Sequence, residues 1–232
     1  METPEDHKAR LARESEEQRA AIRQARAASE TAKKKALSEY RYVPQGHGAI
    51  LPIVPEKGVP SAVGTDGMTP CIGVYFQVGD DECFVAHIDS ETTNDSSKER
   101  WESIRKLATN TRDQFHASLL AHVALPTTAH LGTLRLVVNR GDFSSCALGW
   151  GVNEAFKKMR DHNYVFHDPK IDKNTPNLEA LAALRVVDAV EGTGFVVDKA
   201  KNGNDSLVSW GFGGGWTKQG EYGVKGFTFT DK

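Results

Sequence analysis

A layered α+β or α/β fold, with helices flanking a mixed or antiparallel β-sheet, is the architecture this sequence predicts. Three observations carry it. Residues 71–88 alternate as two neighbouring strands, residues near 101–120 and 144–159 repeat apolar side chains at helical spacing, and strand-like runs recur at 133–138, 194–198 and 207–211. Strand, helix, strand, helix describes sheet-and-helix layering and excludes a helical bundle.

In chain order, residues 1–43 read first as a charged N-terminal extension, helical or partly disordered. Ala, Glu, Arg and Lys dominate it, and Leu11, Ile22 and Leu37 are too thin an apolar stripe for a coiled coil. An arm of this kind could dock a protein partner, whereas Lys33-Lys34-Lys35 reads as solvated surface. Residues 44–62 read as a linker, punctuated by Pro44, Pro52, Pro55 and Pro60 with Gly46, Gly48 and Gly58, with one extended piece near Ala49–Val54. Residues 63–232 form the expected folded domain.

The central expectation is a hairpin. Cys71 to Val78 alternates, Gly79-Asp80-Asp81 supplies a turn, and Cys83 to Ile88 alternates again. Ile72, Val74, Phe76, Val78, Phe84, Ala86 and Ile88 make an apolar face; Cys71, Gly73, Tyr75, Gln77, Cys83, Val85, His87 and Asp89 make the opposite, mixed one. Cys71 and His87 share that mixed face. Depending on turn length they stand directly or diagonally across, with Cβ atoms roughly 4.5–8 Å apart, and Gly73 leaves room beside them.

After a turn at Thr92–Ser97, with Ser96 or Ser97 as cap, a helix is expected through Trp101, Ile104, Leu107 and Ala108 toward Leu120, ended by Pro126. Thr133–Val138 is β-branched and strand-like, and Ala147, Leu148, Val152, Ala155 and Phe156 form the stripe of a second helix. Leu178–Leu184 reads as helix, Arg185–Ala189 as strand, Gly194–Asp198 and Leu207–Gly211 as a hairpin across Lys201–Asp205, and Gly226–Thr230 as a last strand. The run Gly211–Gly215 lacks the Lys and Ser/Thr of a phosphate loop.

At 232 residues, 39% hydrophobic and a formal net charge of −2, the chain can bury one good core and carries no footprint for nucleic acid or an anionic membrane surface. No apolar stretch approaches the ~20 residues of a membrane span, and the N-terminus is charged where a signal peptide is apolar. A cytoplasmic or nuclear, intracellular location follows. Three cysteines, Cys71, Cys83 and Cys146, read as reduced thiols. No metal or other cofactor is expected: Cys71, Cys83 and His87 lack the paired spacings of a zinc knuckle and a fourth ligand.

The string Gly64-Thr-Asp-Gly-Met-Thr-Pro-Cys71, followed by Cys83-Phe-Val-Ala-His87-Ile-Asp89, resembles the core of the cysteine-dependent deamidases. The nearer match is the eukaryotic protein N-terminal asparagine amidohydrolase; the bacterial chemotaxis receptor glutamine deamidase and the cytotoxic necrotizing factors are more distant. In that superfamily one strand opens with the nucleophilic cysteine and the next ends in the catalytic histidine. Gly64, Asp66, Thr69, Cys71, Cys83, His87 and Asp89 have counterparts in the eukaryotic enzyme, and Thr65 occupies the family's hydroxyl position before the nucleophile. The likeness is clear from Gly64 to Asp89 and loose to about Met159. Thr69-Pro70 departs from the Gly-Ser of the bacterial enzyme, and Pro70 removes a backbone donor.

The resemblance implies an amidohydrolase acting on a peptide or protein carboxamide, an N-terminal Asn or a side-chain Gln or Asn. Cys71 would attack, and His87 would either take the thiol proton or stand as imidazolium beside a preformed thiolate, titrating usefully near neutral pH. Thr65 would hold the imidazole, and the Cys71 N–H would face the oxyanion. Asp89, Gly73 and Cys83 line the substrate side on this reading, with Asp89 tuning His87 and packing the alternative role for Cys83. A noncatalytic interaction module of the same fold is the rival expectation.

Overall fold

Glu39-Tyr-Arg-Tyr42 and Val63-Gly-Thr-Asp66 are too short to show a period, yet they form strands that bring a second sheet over the hairpin. The structure, a computed structural model, describes residues 39–90, 100–122, 128–199, 205–211 and 216–229. In order these form β1 (Glu39–Tyr42), β2 (His47–Pro52), β3 (Val63–Asp66), β4 (Ile72–Gln77), β5 (Glu82–Ser90), α1 (Arg100–His122), α2 (Thr128–Leu131), β6 (Arg135–Val138), α3 (Phe143–Arg160), α4 (Asn177–Leu184), β7 (Val190–Glu191), β8 (Gly194–Lys199), β9 (Asp205–Trp210), β10 (Thr217–Glu221), β11 (Val224–Lys225) and β12 (Thr228–Phe229).

The fold is mixed α+β with two sheets. One runs β11-β2-β5-β4-β6-β7, with β12 joined to the end of β5; the other runs β10-β1-β3-β8-β9. The hairpin is antiparallel, in the register Ile72↔Ile88, Gly73↔His87 and Gln77↔Cys83. Most pairs are antiparallel; β1/β3, β6/β7 and β12/β5 are parallel.

Alternation along the hairpin decides the layers. Ile72, Val74, Phe76, Phe84, Ala86 and Ile88 share one core with Leu107, Phe115, Leu148, Val152 and Phe156 of the helices. Each large apolar side chain among them, fully buried, contributes about 1.5–3 kcal/mol. Cys71, Tyr75, Cys83 and Val85, on the other face, meet Val63, Phe195 and Val197 of the second sheet in a second core. The mixed face of the hairpin is thus an inter-sheet interior. Tyr40 and Val196, on the outer side of that second sheet, pack with Trp210 and Trp216.

Several expected boundaries move. Residues 39–42 belong to β1 and not to the extension, because Tyr40 and Arg41 are buried and β1 pairs with β3. Residues 47–52 of the expected linker are β2, paired with β5 from Gly48 to Pro52. Arg41 ties the end of β2 to the segment before β3, donating through Nη1 to the Pro52 carbonyl at 2.8 Å and through Nη2 to the Ser61 carbonyl at 2.9 Å. Residues 185–189 turn instead of forming a strand, and the pairing falls on Val190–Glu191 beside Val137 and Val138. Both helices at 100–122 and 143–160, and the β8/β9 hairpin, form as the sequence reads. The N-terminal arm before Glu39, the cap at Ser96 or Ser97, Pro126, most of the Lys201–Asp205 turn and most of the glycine run lie outside the described residues.

Candidate active site

Cys71 stands immediately before β4, and the register that sets Ile72 against Ile88 and Gly73 against His87 leaves Cys71 facing Asp89. His87 is therefore the diagonal neighbour of Cys71, at a backbone separation of about 7–8 Å, on the same face. Both residues are 1% exposed. Two neighbours hold this end of the hairpin. Ser145, in the first turn of α3, donates its hydroxyl to the Cys71 carbonyl at 3.2 Å, and β12 pairs with Asp89 and Ser90.

Thr65 reaches His87 from the second sheet. Its Oγ1 lies 2.8 Å from Nδ1 and donates to the Val43 carbonyl at 2.7 Å. One hydroxyl hydrogen cannot serve both partners, so Oγ1 accepts from Nδ1–H, and the hydrogen-bond network assigns the other tautomeric nitrogen as bare. That nitrogen, Nε2, is buried without a hydrogen-bond partner. Burial lowers the imidazole pKa to about 4, against the raising fields of Asp89 and Asp66 and with smaller lowering effects from Lys218 and His47. His87 is a neutral base at physiological pH, and it does not titrate near neutrality as the resemblance implies.

The thiol has a different partner from the one expected. Cys71 Sγ donates to Asp89 Oδ1 at 2.8 Å, and Asp89 Oδ1 also accepts the Ser90 N–H at 2.8 Å. Desolvation first, then the hydrogen bond and charge of Asp89, push the thiol pKa well above the ordinary range; the backbone N–H groups of Ser90 and Cys71 pull weakly the other way. Burial and Asp89 thus favour a neutral thiol, burial favours a neutral imidazole diagonally across the strand pair, and together they disfavour a preformed thiolate–imidazolium pair. Asp89, expected to tune the imidazole, also binds the Cys71 thiol directly.

No protein-family model matches the chain, and no curated protein matches it.

Two expected lining residues have other roles. Gly73 opens no space for a substrate: a Cβ there would meet the Phe195 ring at 2.3 Å and the Met68 sulfur at 2.7 Å, so the gap is filled by packing from the second sheet. Cys83 lies four residues from His87 along β5, roughly 13 Å away at strand spacing. Its Sγ donates to the Leu51 carbonyl at 3.5 Å inside the inter-sheet core. Among the described residues no group of three or more His, Cys, Asp or Glu side chains is placed to hold a metal ion, and no helix is long and apolar enough to cross a membrane.

Sequence reasoning missed Gln45. Its exposed side chain turns back so that Nε2 donates to Cys71 Sγ at 3.7 Å. The Pro and Gly around it mark a turn, but nothing local says that the turn overhangs a residue 26 positions away.

Proposed function

We propose that this chain is a cysteine-dependent amidohydrolase that converts a peptide or protein carboxamide, an N-terminal Asn or a side-chain Gln or Asn, to the acid. One observation carries the reading: a thiol with a carboxylate acceptor shares a strand-pair face with an imidazole whose Nδ1–H is held by Thr65 and whose Nε2 lone pair is bare. The likeness of Gly64–Asp89 to the asparagine amidohydrolases supports the same assignment.

Sulfur attacks the carboxamide carbon, and an S–C bond forms as the thiol hydrogen departs. That hydrogen, held by Asp89 Oδ1 in the resting site, passes to His87 Nε2, which delivers it to the leaving nitrogen. The C–N bond breaks, ammonia leaves, and a thioester remains. Water then attacks the thioester, giving a proton to Nε2; the S–C bond breaks, and Nε2 returns the proton to sulfur. Carboxamide and water have become acid and ammonia.

The test is ammonia release and the amide-to-acid mass change on peptides bearing N-terminal Asn, internal Asn and internal Gln. Wild type is expected to turn over at least one class, with Cys71→Ala and His87→Ala at background and Cys83→Ala active. Equal release by wild type and Cys71→Ala would sink the reading. A noncatalytic interaction module is the second reading, favoured by the burial of both Cys71 and His87, and absence of turnover on all three classes selects it.

A further inference from the structure

We propose that Gln45 contacts the substrate and is a catalytic residue of this site, its side-chain amide donating to the carbonyl oxygen as negative charge develops there. The assignment rests on the amidohydrolase reading above.

Gln45 occupies the turn between β1 and β2, closed by the His47 N–H donating to the Pro44 carbonyl at 3.1 Å. Gly46 takes φ +70°, and a Cβ at that position would meet Thr228 Oγ1 at 2.5 Å, so both backbone and space require glycine. The turn is fastened on three sides. Gly46 N–H donates to the His87 carbonyl at 3.0 Å, the Gly226 and Phe227 N–H groups donate to the Gly46 carbonyl at 3.2 and 3.1 Å, and His47 Nδ1 lies 2.7 Å from the Gln45 carbonyl.

An exposed glutamine has its amide hydrogens satisfied by water, so hydration gives it no reason to lie over a sulfur. Here the turn that carries it is bonded to the strand of His87, which fixes the glutamine and the base to one frame. Of the side chains that touch the sulfur, Asp89 accepts from it and Gln45 donates to it. A donor 3.7 Å from the attacking atom lies within reach of an oxygen on the carbon being attacked, where transition-state donors sit at about 2.7–3.1 Å. The Cys71 and Ser90 N–H groups act on the same sulfur from the backbone. Pro70, next to Cys71, has no N–H, so a side-chain donor supplies what the backbone at that residue lacks.

Gln45 also lies against a cysteine that is 1% exposed. A substrate carboxamide reaches Sγ by taking the amide's hydrogen bond onto its own oxygen, exchanging a donor–sulfur contact for a donor–oxyanion one.

The measurement is kcat and KM for ammonia release by wild type, Gln45→Ala and Gln45→Glu, with circular dichroism to confirm that each folds. Loss of the donor is expected to lower kcat about a hundredfold with KM within about threefold, and Gln45→Glu, which keeps length but replaces the donor with an acceptor, is expected not to rescue. A Gln45→Ala enzyme with kcat within about threefold of wild type overturns the role of Gln45 and leaves the amidohydrolase standing. A wild type no more active than Cys71→Ala overturns both.

Discussion

Thr65 gives its single hydroxyl hydrogen to the Val43 carbonyl, and that choice fixes the protonation of a ring on the facing sheet. Replacing Thr65 with Val keeps the shape and removes the hydroxyl, leaving the Val43 carbonyl and His87 Nδ1–H without this partner in the interior. Stability is expected to fall by about 1–3 kcal/mol in urea denaturation, because buried polar groups lose their bonds. Turnover is expected to fall at least tenfold, since the imidazole can then adopt the tautomer with Nε2 protonated; an unchanged kcat would remove Thr65 from the machinery. The same network sets a pH profile. The proposed hydrolysis requires Nε2 bare, and with the imidazole lowered to about 4 the acid limb of kcat/KM is expected near that value, with no loss between pH 5 and 7. A limb near 6.5 would mean that the free enzyme leaves His87 hydrated.

At the scale of elements, α3 is the brace between the core and Cys71. Asp142 caps it by accepting from the Ser145 N–H at 2.8 Å, and Ser145 in turn holds the Cys71 carbonyl. Its middle packs on α1 so tightly that a Cβ on Gly151 would lie 2.5 Å from the Ala108 carbonyl oxygen and 2.9 Å from the Arg112 nitrogen. Gly151→Ala must therefore push the two helix backbones away from each other, and a loss of about 1–3 kcal/mol is expected in urea denaturation; a gain from added helix propensity alone would refute the close contact. This element was legible because Ala147, Leu148, Val152, Ala155 and Phe156 repeat at helical spacing, and all are buried. The β4/β5 hairpin was legible because its apolar residues alternate at every second position. β1, β3, β10 and β11 were not, since strands of two to five residues carry no measurable period and they pair with distant segments. Missing them hid the second sheet, and with it the Phe195 and Met68 packing that fills the space beside Gly73. Cys71 and His87 stood out by residue type and the hairpin's alternation, and Thr65 by its place in the pattern of the resembling family. The Asp89–Cys71 bond depended on the strand register, and Gln45 on a fold-back that no local pattern encodes.

For the molecule as a whole, closing two sheets over an imidazole has a thermodynamic consequence at low pH. In the unfolded chain His87 binds a proton near its ordinary value of 6.5; in the folded one burial delays binding to about 4. Above 6.5 both states are neutral at this residue and it adds no pH dependence. As pH falls from 6.5 toward 4 the unfolded state takes up a proton that the folded state refuses, so stability declines through that window and levels off below it. The full difference is on the order of 3 kcal/mol, a sizeable fraction of a domain's typical stability of roughly 5–15 kcal/mol. His116, also lowered by burial, pulls in the same direction. Urea denaturation of wild type and His87→Gln at pH 7 and pH 4.5 isolates the effect: whatever the variant's stability at pH 7, its drop between the two pH values is expected to be smaller than that of wild type by roughly 2 kcal/mol. An identical drop in both proteins would place the proton uptake elsewhere and would mean that the ring between the sheets is not sealed from water.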